Sequence, residues 1–314
     1  MNRPPSTLLV KLPARDPHGH KGTFGTVAVI GGCCADPARM IGAPALAARA
    51  ALRCGAGLVR LLMPAPIVKD GIALAPSTTG VALPVSSTGE LIPHEVAVEL
   101  DHQLASIQCL AIGPGLGVSD GARAVSLRAV QQEDVPVVVD ADALNNLAHI
   151  PELHRDFRAS AVLTPHPGEF KRLAHAMRIT LDPTDPAQRP VAAEQLAQKL
   201  GCIVVLKGAG TVVSDGHRTW VCDRGNSCLA TAGTGDVLTG VIAGLIAQHV
   251  RPGPVLAGQP PLFGLFEAAQ TAVEAHALAA ERWAARTGRD AGLLAQELAD
   301  ELPDVLSPMR EKPR

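Results

Sequence analysis

The sequence predicts an α/β fold built around a mostly parallel sheet. Short apolar runs rich in Val, Ile and Leu alternate along the chain with segments of helical periodicity. The apolar runs show little polar alternation, which is typical of strands that are buried on both faces of a parallel sheet. This alternation of strand and helix indicates βαβ units packed around one central sheet.

The predicted elements follow the chain in order. Six apolar runs of about four to seven residues are candidate strands: residues 26–31, 57–63, 109–113, 135–140, 161–164 and 202–207. The helical patterns between them cover residues 43–54, 120–132, 143–148, 168–176 and 190–200. Residues 212–214 and 219–222, separated by Asp215 and Gly216, indicate a β-hairpin with a tight turn.

The C-terminal third has a different character. Residues 236–250 predict an apolar helix of small side chains, and residues 267–287 and 293–301 predict Ala-rich helices. The Pro- and Gly-rich residues 251–265 are expected to form an exposed loop.

The chain is expected to form one domain. No internal repeat or low-complexity linker divides it into two folding units. We therefore predict a single domain over residues 21–303, with peripheral polar, Pro-containing segments at residues 1–20 and 304–314.

Composition argues against two classes of partner. Aromatic residues make up only 2% of the chain and Tyr is absent, whereas proteins that bind single-stranded nucleic acid stack bases on aromatic side chains. The net charge of −2 gives no basic surface for a phosphate backbone.

No stretch approaches the roughly 20 apolar residues of a membrane span, and the N-terminus lacks the apolar core of a signal peptide.

Cysteine usage indicates the compartment. The chain has seven cysteines, an odd number, and contains no C-x-x-C pair. This pattern favours reduced thiols that fill small spaces in the core over a disulfide framework or a zinc site. The sequence therefore predicts a cytoplasmic protein.

The most informative segment is the Gly-, Ala- and Thr-rich stretch 225–244, which leads into a helix that begins near Gly235 and Asp236. A helix N-terminus offers unpaired N–H groups and the positive end of the helix dipole, which suit an anion. Asp236 in the first turn could accept a proton from an attacking hydroxyl. Amides beside a carboxylate are what phosphoryl transfer needs. The competing interpretation is an ordinary Asp at a helix start.

A second segment places Lys207 among glycines at the end of a predicted strand, within residues 202–215. A lysine in that position can contact the phosphates of a nucleotide. The segment is not a Walker A loop, because no G-x-x-x-x-G-K-[ST] string occurs. Considered alone, it is better explained as a hairpin with a solvated lysine.

A third segment, residues 163–170, holds His166 between two prolines in an extended loop before a helix. Loops at the carboxyl ends of parallel strands are where open α/β folds bind ligands. A lone histidine is nevertheless more often a surface or capping residue, and that interpretation is favoured for His166 by itself.

Three further segments also fall at predicted strand ends. Residues 111–117 end a strand in a glycine loop, and Asp140 and Asp142 follow the next strand. Carboxylates there order magnesium-bound water or, more commonly, cap the next helix. Residues 21–57 combine a glycine loop, a strand and a small-residue helix but lack the G-x-G-x-x-G pattern of a dinucleotide-binding turn. The shared placement at successive strand ends is what indicates a ligand site.

These strings together resemble the ADP-dependent NAD(P)H-hydrate dehydratases, a carbohydrate-kinase-related family of the ribokinase-like superfamily. The resemblance runs in order through KGTFG at 21, GAP at 42, GPGLG at 113, DADALN at 140, TPHPGEF at 164, KGAGT at 207 and ATAGTGD at 230. It covers about residues 20–303. TPHPGEF together with ATAGTGDVLTG is specific to this family, whereas AGTGD alone indicates only the superfamily. The implied fold is a three-layer α/β/α sandwich with a mostly parallel central sheet.

The resemblance implies repair of NADH and NADPH that have gained water at C6 of the reduced nicotinamide. A nucleotide phosphorylates the C6 hydroxyl, and phosphate, a better leaving group than hydroxide, is then expelled. The implied phosphate donor is ADP, which gives AMP, with ATP as the alternative, and the implied cofactor is Mg²⁺. Family members are commonly tetramers, so the resemblance also implies a homo-oligomer.

Residue roles carry over motif by motif. Asp236 would be the base that activates the hydroxyl, and the amides around Gly235 would stabilise the transferred phosphoryl group. The implied nucleotide-binding residues are Lys207, Gly208, Ala209, Gly210, Thr211, Gly233 and Gly235. The implied substrate-binding residues are Ala43, Gly115, Gly117, His166 and Asp236. The metal ligands are left unassigned.

Two alternatives stay open at this point. A kinase for a small alcohol, such as a vitamin precursor or a sugar, shares the GTGD string, and TPHPGEF argues against it. A non-catalytic adenine-nucleotide sensor would bind without turnover, and Asp236 argues against it.

The chain departs from the family pattern at residues 33–41 and at Thr234, where Ser is more usual. Too few residues precede position 20 for the epimerase domain often fused to this family, so the stand-alone form is expected.

Overall fold

The computed structural model describes residues 10–35, 37–250 and 263–312. Within these ranges the strands are β1 (Thr26–Ile30), β2 (Leu58–Pro64), β3 (Thr79–Leu83), β4 (Cys109–Ile112), β5 (Val137–Val139), β6 (Ala161–Leu163), β7 (Ile203–Leu206), β8 (Val212–Ser214) and β9 (Thr219–Val221). The helices are α1 (Gly42–Arg53), α2 (Val68–Leu74), α3 (Pro93–Leu104), α4 (Asp120–Gln131), α5 (Ala141–Leu147), α6 (Pro167–Ala176), α7 (Arg189–Leu200), α8 (Thr234–His249), α9 (Leu265–Thr287) and α10 (Ala295–Leu306).

The strands form one sheet in the order β3-β2-β1-β4-β5-β6-β7-β8-β9. Strands β1 to β7 pair in parallel, and β8 and β9 complete one edge in antiparallel orientation. The predicted mostly parallel sheet and the predicted hairpin are both confirmed. Parallel pairing places the carboxyl ends of β1 and β4 to β7 at the same edge of the sheet.

The central strands are buried on both faces, as their apolar runs predict. All five residues of β1 are buried. Val27 and Val29 belong to one hydrophobic cluster, while Ala28 and Ile30 belong to the other. Successive side chains of a strand point to opposite faces, so β1 contributes to two separate cores.

Helices cover both faces of this sheet. The core that contains Val27 is closed by α1, α8, α9 and α10, and the core that contains Ala28 is closed by α3 to α7. The predicted three-layer α/β/α sandwich is confirmed. Small residues allow α1 and α8 to pack very closely: a side chain at Gly240 would overlap the carbonyl oxygen of Ala47. This close contact fixes the position of α8 and of the loop that precedes it.

Three elements were not predicted from the sequence, namely α2, β3 and α3. Strand β3 pairs only with β2 at the sheet edge, and only Leu83 of its five residues is buried. It therefore lacks the continuous apolar run of a central strand. Helix α3 buries Val96, Leu100 and Leu104 at a spacing of four residues. This apolar spacing is a signal in the sequence from which the helix could have been predicted.

The C-terminal helix is longer than predicted. It ends at Leu306 and not at residue 301, so it includes the first three residues of the expected peripheral tail, because Leu306 is buried. Near the other end of the chain, Leu12 is also fully buried and forms a β-bridge with Arg310. The limits of the domain at residues 21 and 303 stay a prediction.

Of the described helices, none combines the length and the apolar character needed to cross a bilayer. The seven cysteines are free thiols, and six of them are buried. The loop predicted at residues 251–265 falls mainly on residues 251–262, which lie outside the described residues.

Candidate active site

The loops that follow β1, β4, β5, β6 and β7 meet at the carboxyl edge of the sheet, as the sequence predicts. The start of α8 lies at the same edge, since Thr239 in that helix forms a hydrogen bond with Asp140, which follows β5. The glycine loop, the paired Asp residues, TPHPGEF, KGAGT and AGTGD are thereby brought to one region of the molecule.

A buried ion pair joins two of these loops. Asp140 is 1% exposed, and its Oδ1 accepts a hydrogen bond of 2.6 Å from Lys207 Nζ. Its Oδ2 accepts a hydrogen bond of 2.6 Å from the Thr239 hydroxyl. Burial alone would raise the pKa of Asp140, but the Lys207 charge and the hydrogen bonds outweigh it and lower the pKa. Burial likewise opposes the charge on Lys207, and Asp140 with Glu169 outweighs it and raises that pKa.

This ion pair corrects two expectations. Asp140 is the residue before α5, but its side chain makes no capping hydrogen bond, because both carboxylate oxygens are occupied by Lys207 and Thr239. The solvated hairpin lysine that seemed the better explanation of Lys207 alone is wrong as well. The Lys207 side chain is only 18% exposed and lies 3.8 Å from a Glu169 oxygen as well as against Asp140.

Replacing Thr239 by Val tests the hydroxyl in this network. Val has a similar shape, so the change chiefly removes the hydrogen bond to the ionised Asp140. We expect the free energy of unfolding to fall by about 1.5–3 kcal/mol, the range for hydrogen bonds to charged groups. Urea unfolding measures this loss. Thr239→Ser retains the hydroxyl and is the matched control, which should keep the hydrogen bond to Asp140. An unchanged free energy of unfolding in Thr239→Val would contradict the contribution of this hydrogen bond.

Asp236 lies in the first turn of α8, as predicted. Burial and the charge on Asp140, opposed by the charge on Lys207, raise its pKa to about 7. A carboxyl group with a pKa near neutrality is divided between acid and base forms near pH 7, which suits a general base. The positive end of the α8 dipole is directed to the same place.

His166 and Glu169 form a capping box at the start of α6. His166 Nδ1 accepts hydrogen bonds from the backbone N–H groups of Gly168 (2.9 Å) and Glu169 (3.3 Å). A Glu169 oxygen accepts a bond of 2.7 Å from the His166 backbone N–H. The ring is therefore neutral with its proton on Nε2, and burial and the Lys207 charge lower its pKa. The capping interpretation of His166 is correct, and its side chain remains half exposed.

Glu169 was not singled out from the sequence, although it belongs to TPHPGEF. Burial raises its pKa to about 7, and the charges on Asp140 and Asp142 act in the same direction against Lys207. A second carboxyl group with a pKa near neutrality thus lies close to Lys207.

The predicted substrate-binding residues Ala43, Gly115 and Gly117 lie together. A side chain at Gly115 would lie 3.4 Å from the Ala43 methyl group, and Gly115 and Gly117 both have positive φ, 63° and 76°. The Gly117 N–H donates a hydrogen bond of 2.9 Å to Asp142. Asp142 in turn interacts electrostatically with Asp236. The glycine loop is thereby joined to the charged cluster.

A cavity of about 810 Å³ opens beside Lys207, which lines it. All five predicted residues of the KGAGT loop line it, and so does Gly235. This volume is in the range of pockets that hold a nucleotide-sized ligand. Gly233 does not line the cavity; its φ of 89° and the closeness of Leu46 and Ala295 require a glycine there for backbone geometry.

The far wall of the cavity includes part of the predicted segment 225–244 and a helix that the sequence analysis did not connect with the site. It is formed by residues within 221–230 and by α9, where the partly buried His276 lines the cavity. His276 Nε2 lies 2.8 Å from the carbonyl oxygen of Thr234, and burial lowers the pKa of this histidine to about 4. The neutral ring therefore donates to the loop that carries Asp236. Nothing in the Ala-rich pattern of α9 distinguishes this histidine from one on a surface.

The site suits a metal ion that is carried by phosphates. Among the described residues no three His, Cys, Asp or Glu side chains are arranged to hold a metal. Mg²⁺ commonly binds through one or two carboxylates together with substrate phosphates. Asp140 is occupied by Lys207 and Thr239. Asp236 follows Gly235, which lines the cavity, and could join phosphate oxygens around Mg²⁺.

Comparison with known proteins agrees with this arrangement. A family model described as NAD(P)H-hydrate dehydratase matches residues 27–304. The bifunctional NAD(P)H-hydrate repair enzyme of Coxiella burnetii is 38% identical over 300 residues, which are 95% of this chain and 53% of that protein. The chain thus spans about half the length of this curated relative. The ADP-dependent (S)-NAD(P)H-hydrate dehydratase of Neisseria meningitidis is 37% identical, over 91% of this chain and 86% of that protein.

A solved structure extends the likeness to three dimensions. The ADP/ATP-dependent NAD(P)H-hydrate dehydratase of Bacillus subtilis, co-crystallised with ATP and Mg²⁺, superposes with a TM-score of 0.74 at 30% identity and covers 95% of each chain. Since the family model, the Neisseria relative and the superposed structure each match nearly the whole length, this chain belongs to the NAD(P)H-hydrate dehydratase family, with its ribokinase-like fold.

Proposed function

We propose that the chain restores NADH and NADPH from their hydrated forms at the expense of ADP. The observation that carries this proposal is the setting of Asp236, a carboxyl group with a pKa of about 7. It interacts with Lys207 on the side of the large cavity and with Asp142 on the side of the glycine loop. The name of the Neisseria relative supports both the reaction and the donor.

The proposed reaction has two steps. The Asp236 carboxylate takes the proton of the C6 hydroxyl, whose oxygen attacks the terminal phosphorus of ADP, and the bond to AMP breaks. Phosphate then leaves C6 together with the bridging oxygen and the bonding electrons. A proton is lost from the adjacent ring carbon, and the double bond of the dihydropyridine is restored.

The surrounding residues supply charge and position. Lys207 Nζ lies 3.5 Å from the place that a side chain at Gly235 would occupy, so the ammonium group is beside the first amides of α8. Both are placed to stabilise the negative charge of a phosphoryl group in transfer. Mg²⁺, bound with the nucleotide, would neutralise phosphate charge in the same place. The protein's own residues then hold the nucleotide on one side of Asp236 and the dinucleotide on the other.

We assign one ligand to each side of Asp236. We assign the adenine nucleotide to residues 207–211 and Gly235 along the cavity. We assign the hydrated dinucleotide to the glycine loop with Ala43 and to the exposed face of His166. A cytoplasmic location and a homo-oligomeric state complete the proposal, and both rest on the cysteine pattern and on the family.

The proposal is tested with hydrated NADH and Mg²⁺ plus either ADP or ATP, by following the return of dihydronicotinamide absorbance. Recovery with ADP is expected, with AMP and phosphate as the other products. Recovery with ATP but not with ADP would identify ATP as the phosphate donor. No recovery with either nucleotide, by protein that binds them, would overturn the dehydratase assignment and favour a small-alcohol kinase or a nucleotide sensor.

Replacing His166 by Asn separates its two suggested roles. The Asn side chain can cap α6 in place of Nδ1, so stability should stay within a few tenths of a kcal/mol, whereas His166→Ala should lose about 1 kcal/mol. If the ring also binds substrate, both variants should raise KM for hydrated NADH about 5- to 100-fold, the effect of one lost hydrogen bond. Steady-state kinetics and thermal unfolding give the two readings; a normal KM in the Asn variant would leave His166 as a cap only.

A further inference from the structure

Arg189 is a buried cation that binds backbone carbonyl groups. It is 6% exposed and is the first residue of α7. Among residues 10–35, 37–250 and 263–312, no Asp or Glu forms an ion pair with it. A buried charge normally requires a partner, and a cation at a helix N-terminus also faces the positive end of the dipole. Arg189 is therefore held in an unfavourable position, where burial lowers its pKa.

Backbone carbonyl oxygens take the place of the missing carboxylate. Arg189 Nη1 donates a hydrogen bond of 2.7 Å to Pro183, and Nη2 lies within hydrogen-bonding distance of three carbonyl oxygens. These belong to Leu206 (3.0 Å), Lys207 (3.2 Å) and Gly210 (3.4 Å). The guanidinium group thus binds the start and the middle of the loop that lines the large cavity.

These bonds determine the direction of the loop amides. In a trans peptide the C=O of one residue and the N–H of the next point in opposite directions. Because the carbonyls of Lys207 and Gly210 point to Arg189, the N–H groups of Gly208 and Thr211 point away from it. Both residues line the cavity. Backbone N–H groups that are directed into a cavity can form an anion site.

The loop sequence is fitted to the guanidinium group. Gly208 has a φ of 139°, and a side chain there would lie 3.2 Å from Arg189 Nη2. Glycine at 208 therefore allows the close approach of the cation as well as the backbone conformation. Lys cannot reproduce the arrangement, because its single ammonium group lacks the planar fork that spans separate acceptors.

We propose that Arg189 is the positioning residue of the nucleotide site, which turns the amides of residues 208–211 toward the phosphates and adds an uncompensated positive charge behind them. This inference rests on the proposed function only in that the cavity takes an adenine nucleotide. It assigns to Arg189 the recognition of the phosphate part and not of the adenosine part.

Calorimetric titration of wild-type protein and of Arg189→Lys with ADP and with adenosine tests the inference. We expect the Kd for ADP to rise about 10-fold or more, the effect of losing hydrogen bonds to a charged group. The Kd for adenosine should change less than about 2-fold, since only the phosphate contacts depend on the turned amides. In the dehydration assay, KM for ADP should rise while kcat stays within about 3-fold.

Lys199→Met is the matched control, because it removes an exposed positive charge from the same helix α7. It should bind both ligands as wild type does. Unchanged ADP affinity in Arg189→Lys, or an equal loss for ADP and adenosine, would overturn the inference and leave Arg189 as a packing residue. Binding is measured without turnover, so a wild-type protein that binds ADP but does not dehydrate would refute the proposed function and leave this inference intact.

Discussion

Replacing Asp236 by Asn is expected to lower kcat for dehydration of hydrated NADH by about 10²–10⁴-fold, the range for a lost general base. The amide keeps the size of the carboxyl group but cannot take the proton of the C6 hydroxyl. Nucleotide affinity should stay near that of the wild type, because Lys207 and the amides of residues 208–211 are unchanged. Steady-state kinetics and ADP titration measure the two effects, and unchanged kcat would remove Asp236 from the mechanism.

Asp120→Asn is a suitable control, since Asp120 also lies in the first turn of a helix but its side chain is 92% exposed. It should have wild-type kcat. A fall in kcat of similar size in both variants would indicate a general effect of charge at helix starts. Only the Asp236 variant is expected to change the rate.

The same substitution should stabilise the fold at pH 8. The pKa of Asp236 is about 7 in the folded protein, above the ordinary value of about 4 in an unfolded chain. Between these two pKa values the folded state binds a proton that the unfolded state releases. The stability that this proton gives the fold is lost as pH rises from about 4 to 7. Above pH 7 the folded protein holds an unfavourable buried charge, which Asn removes. At each pH the Tm of Asp236→Asn is compared with the Tm of the wild type. We expect this difference to be more positive at pH 8 than at pH 4, which would show that catalysis rather than stability requires this carboxyl group.

Replacing Lys207 by Met is expected to lower the free energy of unfolding by about 3–5 kcal/mol, the cost of leaving a buried charge without its partner. Met has a similar length and shape, so the loss comes from Asp140, which loses its charged partner and keeps only hydrogen bonds to hydroxyl groups such as that of Thr239. Urea unfolding at pH 7 measures it. Affinity for ADP should fall as well, because the ammonium group that faces Gly235 is removed.

The double variant Lys207→Met with Asp140→Asn provides the control. With both charges removed, we expect most of the stability to return, while ADP affinity stays low. This outcome separates the structural role of the ion pair from the role of Lys207 at the phosphates. A loss of less than about 1 kcal/mol in the single variant, the range of a surface pair, would contradict the buried ion pair.

The central sheet was predictable because its strands are buried on both faces. Residues such as Val27 to Ile30 must all be apolar, so the run itself marks the strand. Edge strand β3 has one buried residue and gives no such signal. The hairpin β8–β9 was predictable from Asp215 and Gly216, since turn chemistry is local.

The site was predictable in outline but not in its electrostatics. Motifs at strand ends locate Lys207, Asp236 and His166 at one edge, since parallel topology requires it. Whether Asp140 caps a helix or binds Lys207 depends on a contact across 67 positions of sequence, which local patterns do not contain. The same applies to His276, whose contact with Thr234 is visible only after α9 has packed against α8.

The most direct test of the account follows the oxygen atom of the C6 hydroxyl. Hydrated NADH is prepared with ¹⁸O in that hydroxyl and incubated with the protein, Mg²⁺ and ADP, and the released phosphate is analysed by mass spectrometry. If the hydroxyl is phosphorylated and then expelled as phosphate, one ¹⁸O atom should appear in each phosphate released. Unlabelled phosphate, with the label in water, would show that dehydration and nucleotide cleavage are separate events and would contradict the proposed mechanism.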